Sequence, residues 1–397
     1  MRIRTFLLLC GLLSPAIASA QISGRISPIV PGGGFAVGRR QLYWIDSARK
    51  DPADSSRYRE ITGWVWYPAS GSASTEESPL DAAWQSLKAE VLRARFGAEV
   101  AAAMKTFAVH ERTNAPVAAG RSRIPALLFV PGLSWLASDY SVIIDDLVSH
   151  GYVVVGISPT GFSDPVEFPD GRIAHQSLGR GERVGTDQSI EQDDALFSLR
   201  KIRQMDQAGF LRGRIDTHDI GVFGHSLGGA TALVVAERDT SVRGAVNIDG
   251  DPMGNVREVR PHQPILLVSS ESPTIDESPP GRSPQQMELV RQGLERSEKR
   301  RTDDWNAIAS ESVSARRIVI PGAHHLNFVD AALASPVLAD KAARWMKFGT
   351  IDPERALSTL ALAVRTFFDQ TLARTTDNAS AQPQPPHAQP GGGSLSR

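Results

Sequence analysis

Residues 220–237 read IGVFGHSLGGATALVVAE, and this stretch decides the fold. Ile220 to Phe223 is a short apolar run of strand character, and Leu227 to Glu237 carries a helical pattern. Between them lies Gly224-His225-Ser226-Leu227-Gly228-Gly229. A Gly-x-Ser-x-Gly turn that joins a strand to a helix lifts its serine hydroxyl above a sheet. The glycines two residues before and after allow the tight backbone approach that such a turn requires. The strand before and the helix after make Ser226 the candidate nucleophile rather than part of a packing turn.

Outward from this point the chain alternates. Ile124 to Val130, Tyr152 to Ile157, Ala245 to Ile248, Ile265 to Val268 and Arg316 to Ile320 are short apolar strands. Tyr140 to His150 and Asp187 to Met205 have helical periodicity, the latter with Ala195, Leu199 and Ile202 along one side. All-apolar strands separated by helices predict a mostly parallel central sheet covered on both faces, the α/β-hydrolase pattern. Upstream, Leu42 to Ile45 and Trp64 to Tyr67 predict two more strands. A helix is predicted from Asp81, its N-cap, with Trp84, Leu87 and Val91 on one face and continuation through Phe96 and Val100 to Phe107. Glu271 to Asp304 holds four prolines and a charged helix from Gln285 to Arg301, whose only apolar stripe is Met287, Val290 and Leu294. It reads as a surface insert between strands.

A nucleophilic serine needs a base, and the base an orienting acid, in the chain order serine, acid, histidine for this fold. Gly322-Ala323-His324-His325-Leu326-Asn327-Phe328 follows the last strand, where the base is delivered. One of the adjacent histidines is therefore the base. A metal site there is disfavoured, because sequence neighbours rarely turn both rings to one ion. Asp249 and Asp251 follow one strand, Glu271 follows the next, and Asp276 lies in the loop beyond; the residues alone leave the acid open among them. The oxyanion donors expected are the Leu227 N–H, just after the serine, and the Leu133 N–H in the loop Pro131-Gly132-Leu133. Trp135 and Leu136 are candidates for the wall of an acyl pocket.

The chain has 397 residues, 41% hydrophobic and 22% charged, with a formal net charge of −1. That suits a globular enzyme and gives no basic excess for nucleic acid. Arg2 and Arg4, the apolar run Phe6 to Leu13 and Ala18-Ser19-Ala20 read as an export signal over residues 1–20. The run is too short for a membrane span. Cleavage before Gln21 removes Cys10, the only cysteine, together with two arginines and no acid, so the charge moves from −1 to −3. Export to the periplasm or medium is the expectation. Residues 21–375 form the expected hydrolase domain. The Pro-, Gln- and Gly-rich tail 376–397 has too little apolar content to fold.

Several stretches together resemble the platelet-activating factor acetylhydrolases of the plasma and type II class. They are Phe129-Val130-Pro131-Gly132-Leu133, Asp146 to Val154, the turn Gly224 to Gly229, Asn247-Ile248-Asp249-Gly250 and His325-Leu326-Asn327-Phe328. Val37-Gly38, Asp51-Pro52 and Trp66-Tyr67-Pro68 fit bacterial members. The resemblance covers roughly residues 31–370. It implies Asp249 as the acid, His325 as the base, and hydrolysis of short or oxidised acyl esters without a metal or cofactor. The partners implied are a small-molecule ester or phospholipid, with transient membrane-surface contact. Pro131 stands where family members often carry histidine. A lipase, cutinase-like polyesterase or amidase with the same triad is the alternative enzyme, and a binding protein on a hydrolase fold the alternative outside enzymes.

Overall fold

The computed structural model describes residues 29–71, 78–79, 82–98, 101–102, 107–120, 123–179, 184–271, 283–334 and 348–372. The expected signal peptide, the tail from residue 376, Asp81 and Asp276 lie outside them. So do the side chains of Trp84, Phe96, Met287, Val290 and Leu294.

The frame is one large sheet. Its strands are β1 (Ala36–Lys50), β2 (Tyr58–Ala69), β3 (Ile124–Val130), β4 (Val153–Pro159), β5 (Ile215–His225), β6 (Val242–Ile248), β7 (Ile265–Ser270) and β8 (Ala315–Ile320). They lie in the order β8-β7-β6-β5-β3-β4-β2-β1, with a two-residue strand, Arg112–Thr113, beyond β1. β1 and β2 pair antiparallel, as do β2 and β4; from β4 to β8 every pairing is parallel. Every residue of β3 and β4 is buried, the signature of strands covered on both sides.

Successive side chains of each strand serve opposite cores. Phe129 and Phe223 pack with Ile143 and Leu147 of α2 (Ser141–Ser149) and with Leu360, Val364 and Phe368 of α6 (Pro353–Thr371). Leu128 and Val222 pack with Leu199 and Ile202 of α3 (Val184–Gln207) and Leu233 of α4 (Leu227–Arg238). Both α3 and α4 precede parallel strands, so their N-termini stand at the carboxyl edge of the sheet, where this architecture places its chemistry.

Two sequence expectations change. The predicted Asp81–Phe107 helix is broken: α1 (Ala82–Phe96) stops where Gly97 takes φ +97°, residues 98 and 101–102 are helical again, and Phe107 lies buried outside both. A left-handed glycine satisfies the end of a helix and cannot continue it. The helix predicted over Gln285–Arg301, within the expected 271–304 insert, is α5 (Pro284–Ala309), and residues 272–282 of that insert lie outside the described residues. The helix connects the parallel neighbours β7 and β8, a pairing that demands a crossover. Trp305 and Ile308, at the end of α5, are buried in the core, and Arg257 pairs with Asp304 at 3.1 Å. Gln286, Glu288, Leu289 and Glu295 are exposed.

Candidate active site

β5 delivers its last residue, His225, to the carboxyl edge, and α4 begins at Leu227. Ser226 between them has φ +55° and ψ −123°. A non-glycine residue in that region carries strain of about 1–3 kcal/mol, sustained only when its surroundings hold it. They do: Ser226 N–H donates to Ile248 O at 2.8 Å. A Cβ on Gly228 would come within 2.2 Å of Val130 O, and one on Gly224 within 2.3 Å of Gly228 O. The spacing read from sequence is thus enforced by backbone passing against backbone.

The loop after β8 brings His325 to the serine. His325 Nε2 lies 3.0 Å from Ser226 Oγ, and Nδ1 lies 2.7 Å from Asp249 Oδ2. The hydrogen-bond pattern assigns Nδ1–H as donor to Asp249, leaving Nε2 to accept from the hydroxyl. Asp249 sits at the end of β6 with φ +51°, and its N–H donates to Val268 O at 2.7 Å. Its carboxylate also accepts the Ser270 N–H and hydroxyl, each at 2.8 Å. Burial raises the Asp249 pKa. The hydrogen bond and charge of His325, with the two Ser270 donors, outweigh that and bring it down to about 2. The Asp249 carboxylate is therefore ionised at neutral pH.

The other candidates have different neighbours. Glu271 accepts the Gly322 N–H at 2.7 Å and donates its own N–H to Ala323 O, bracing the turn before the histidines. Asp251 is mostly exposed, 3.8 Å from Arg301. His324 donates its N–H to Asn327 Oδ1, which also accepts from Gly349 N–H. Asn327, fully buried, staples the loop that presents His325. Accordingly, His325→Ala is expected to lower ester turnover by at least about 10³-fold, while His324→Ala, which keeps the backbone bond to Asn327, stays within about tenfold of the parent. Steady-state kinetics of the two variants checks this; the reverse order would move the base to His324.

The loop after β3 passes directly against the elbow. A Cβ on Gly132 would lie 3.2 Å from Ser226 Cβ. Ser134, at φ +73°, donates its N–H to Phe162 O, and Trp135 donates to Gly132 O. These bonds fix the turn that carries Leu133. Leu227 is the first residue of α4, where a helix N–H has no intrahelical acceptor. The two N–H groups expected to face an oxyanion therefore belong to segments packed on either side of Ser226.

Trp135 and Leu136 are placed elsewhere. Trp135 joins the main core with Lys88 over its ring, and Leu136 packs with Val166 and Phe168. Leu136 lines a cavity of about 320 Å³ that none of Ser226, Asp249 and His325 lines. The apolar surface at the oxyanion residues is instead Phe162, Leu178 and Leu227, with Leu133 and Ile190 packed against them. Nothing in the sequence signals this cluster, because Phe162 and Leu178 come from the connection after β4. Among the described residues no three His, Cys, Asp or Glu side chains group as a metal site.

Residues 199–389, which include Ser226, Asp249 and His325, match the family described as platelet-activating factor acetylhydrolase, isoform II. The match takes in just under half of the chain and marks it as similar to this family. A protein from Arthroderma benhamiae named "Probable 1-alkyl-2-acetylglycerophosphocholine esterase" is 28% identical over 261 residues, 62% of this chain and 65% of that protein. A platelet-activating factor acetylhydrolase from Cavia porcellus is 23% identical over 190 residues, 41% of this chain and 43% of that one. The match thus spans less than two thirds of either acetylhydrolase relative. A solved ferulic acid esterase from Streptomyces cinnamoneus superposes with a TM-score of 0.66 at 24% identity, covering 90% of this chain and 97% of that one, and shows the shared α/β-hydrolase fold.

Proposed function

We propose that this protein is an exported serine carboxylic-ester hydrolase acting on short-chain acyl esters, short or oxidised acyl phospholipids among them. The observation that carries the reading is the unbroken contact from Asp249 through His325 to Ser226, built at the strained turn between β5 and α4. His325 Nε2 takes the proton as Ser226 Oγ attacks the ester carbonyl. The carbonyl oxygen, now negative, is held by the Leu227 and Leu133 N–H groups. His325 then gives its proton to the leaving alcohol, and an acyl-serine remains. A water deprotonated by His325 attacks that ester, and the acid is released with Ser226 restored. Asp249, ionised throughout, keeps the imidazole in the productive tautomer and stabilises its charged form.

The names of the relatives support an acetyl-sized acyl group. Phe162 and Leu178, both buried, stand beside the oxyanion residues. Each methylene that enters apolar surroundings adds about 0.8 kcal/mol of binding, so discrimination against long chains requires a closed end. Trp305 and Ile308 tie the end of α5 into the core. The expected result is a kcat/KM for p-nitrophenyl butyrate well above that for the palmitate ester, with no rate jump when the long ester forms an emulsion. A short-acyl phospholipid assayed beside them tests the lipid substrate. A preference for palmitate with a jump at the solubility limit would point to a lipase instead.

A further inference from the structure

The residue before the nucleophile, His225, is fully buried and has no part in the proton transfers above. Its Nδ1 lies 2.9 Å from the hydroxyl of Tyr140, also fully buried. The Tyr140 hydroxyl oxygen accepts the Gly132 N–H at 3.1 Å, so its own proton is free to be donated, and His225 Nδ1 is the acceptor in reach. Nδ1 therefore carries no proton, and the proton of neutral His225 is on Nε2. That atom lies 3.2 Å from the backbone carbonyl of His325, an acceptor only. The directions are forced at every joint: Gly132 N–H to Tyr140, Tyr140 O–H to His225, His225 N–H to His325 C=O.

This chain joins two loops that the sheet alone does not register against each other. Gly132 belongs to the loop after β3, and His325 to the loop after β8. The rings of His225 and His325 also lie against each other, centroids 4.5 Å apart and planes 35° apart, with Phe328 edge-on behind His225. A second tie runs alongside. Asp330, five residues beyond His325, accepts from Ser141 N–H, Ser141 Oγ–H and Val142 N–H, immediately after Tyr140.

We propose that Tyr140 and His225 are positioning residues: their directional hydrogen-bond chain sets the spacing between the oxyanion loop and the base. The inference rests on the esterase reading for its kinetic consequence, but not for its structural content. The groups facing His225 are Tyr140, His325 and Asp249. Burial first, and then the charge that His325 gains, hold the His225 pKa well below the ordinary histidine value, with Asp249 opposing them. A His225 that charged together with His325 would have to donate from Nδ1 into a hydroxyl already committed as a donor.

The test has two arms on the full chain. In the first, side-chain nitrogen NMR of the histidines is followed from pH 5 to 8. The expected result is a non-titrating His225 with its proton on Nε2. A His225 that titrates in this range, or carries its proton on Nδ1, overturns the chain, whatever the enzyme's activity. In the second, Tyr140→Phe keeps the ring and removes the hydroxyl, and active sites are counted by fluorophosphonate titration. The expected result is kcat per active site lowered about tenfold with KM changed less than about threefold, and a displaced acid limb of the pH–rate profile. Unchanged kinetics with only a lower Tm would make Tyr140 a packing residue and overturn the positioning role. A parent protein that hydrolyses no ester would overturn the proposed function and leave the first arm to decide the chain.

Discussion

Ser226→Ala is expected to lower kcat by at least about 10³-fold with the fold intact. The size follows from the mechanism. Without Oγ no acyl-enzyme forms, and only the oxyanion donors and bound water remain to assist hydrolysis. The fold should tolerate the change, because what holds residue 226 is its backbone: the bond to Ile248 O and the close approach of Gly224, Gly228 and Val130. Far-ultraviolet circular dichroism and thermal unfolding beside the kinetics separate lost chemistry from lost structure. Near-normal turnover by a folded variant would remove Ser226 from the reaction.

The second large effect is expected at the acid. Asp249→Asn should lower kcat by about 10³–10⁴-fold, since an amide in that place donates as well as accepts and favours the wrong imidazole tautomer. Asp249 receives His325 Nδ1–H and two Ser270 donors, so substitution disturbs three bonds at one point. Glu271→Gln retains an oxygen for the Gly322 N–H and should cost less than about tenfold. The comparison is made as kcat on the pH plateau of the parent enzyme. A larger loss at Glu271 would transfer the acid to the strand after Asp249.

Much of this site was legible because a few local rules act on few residues. The turn 224–229 shows in the sequence because only glycine permits the approach at positions 224 and 228. The inner parallel strands β3, β4, β6 and β7 show because both of their faces are buried, whereas the edge strand β8 is exposed over most of its length. The choice between Asp249 and Glu271 was not legible from residue types: both end neighbouring strands, and which carboxylate meets the ring depends on β6 lying next to β5. The roles of Tyr140 and His225 were invisible for a related reason. Each is an ordinary buried ring by composition, and their function is a matter of which atom faces which across 85 residues of chain. Trp135 and Leu136 were chosen for closeness in sequence to Leu133, but their side chains join apolar clusters separate from that of Phe162, Leu178 and Leu227. The crossover role of α5 was hidden by its polar surface, while Trp305 and Ile308 in its last turns are buried in the core.

The central claim is that the Asp249–His325 pair makes Ser226 an active nucleophile. A fluorophosphonate reacts covalently only with a serine activated in this way, so the direct measurement is intact-mass and peptide mass spectrometry after brief exposure to one. The account predicts a single adduct per chain, located on Ser226, absent from Ser226→Ala and formed at least about 10²-fold more slowly in His325→Ala. An unmodified parent chain, or an adduct on another residue that persists in Ser226→Ala, would contradict it.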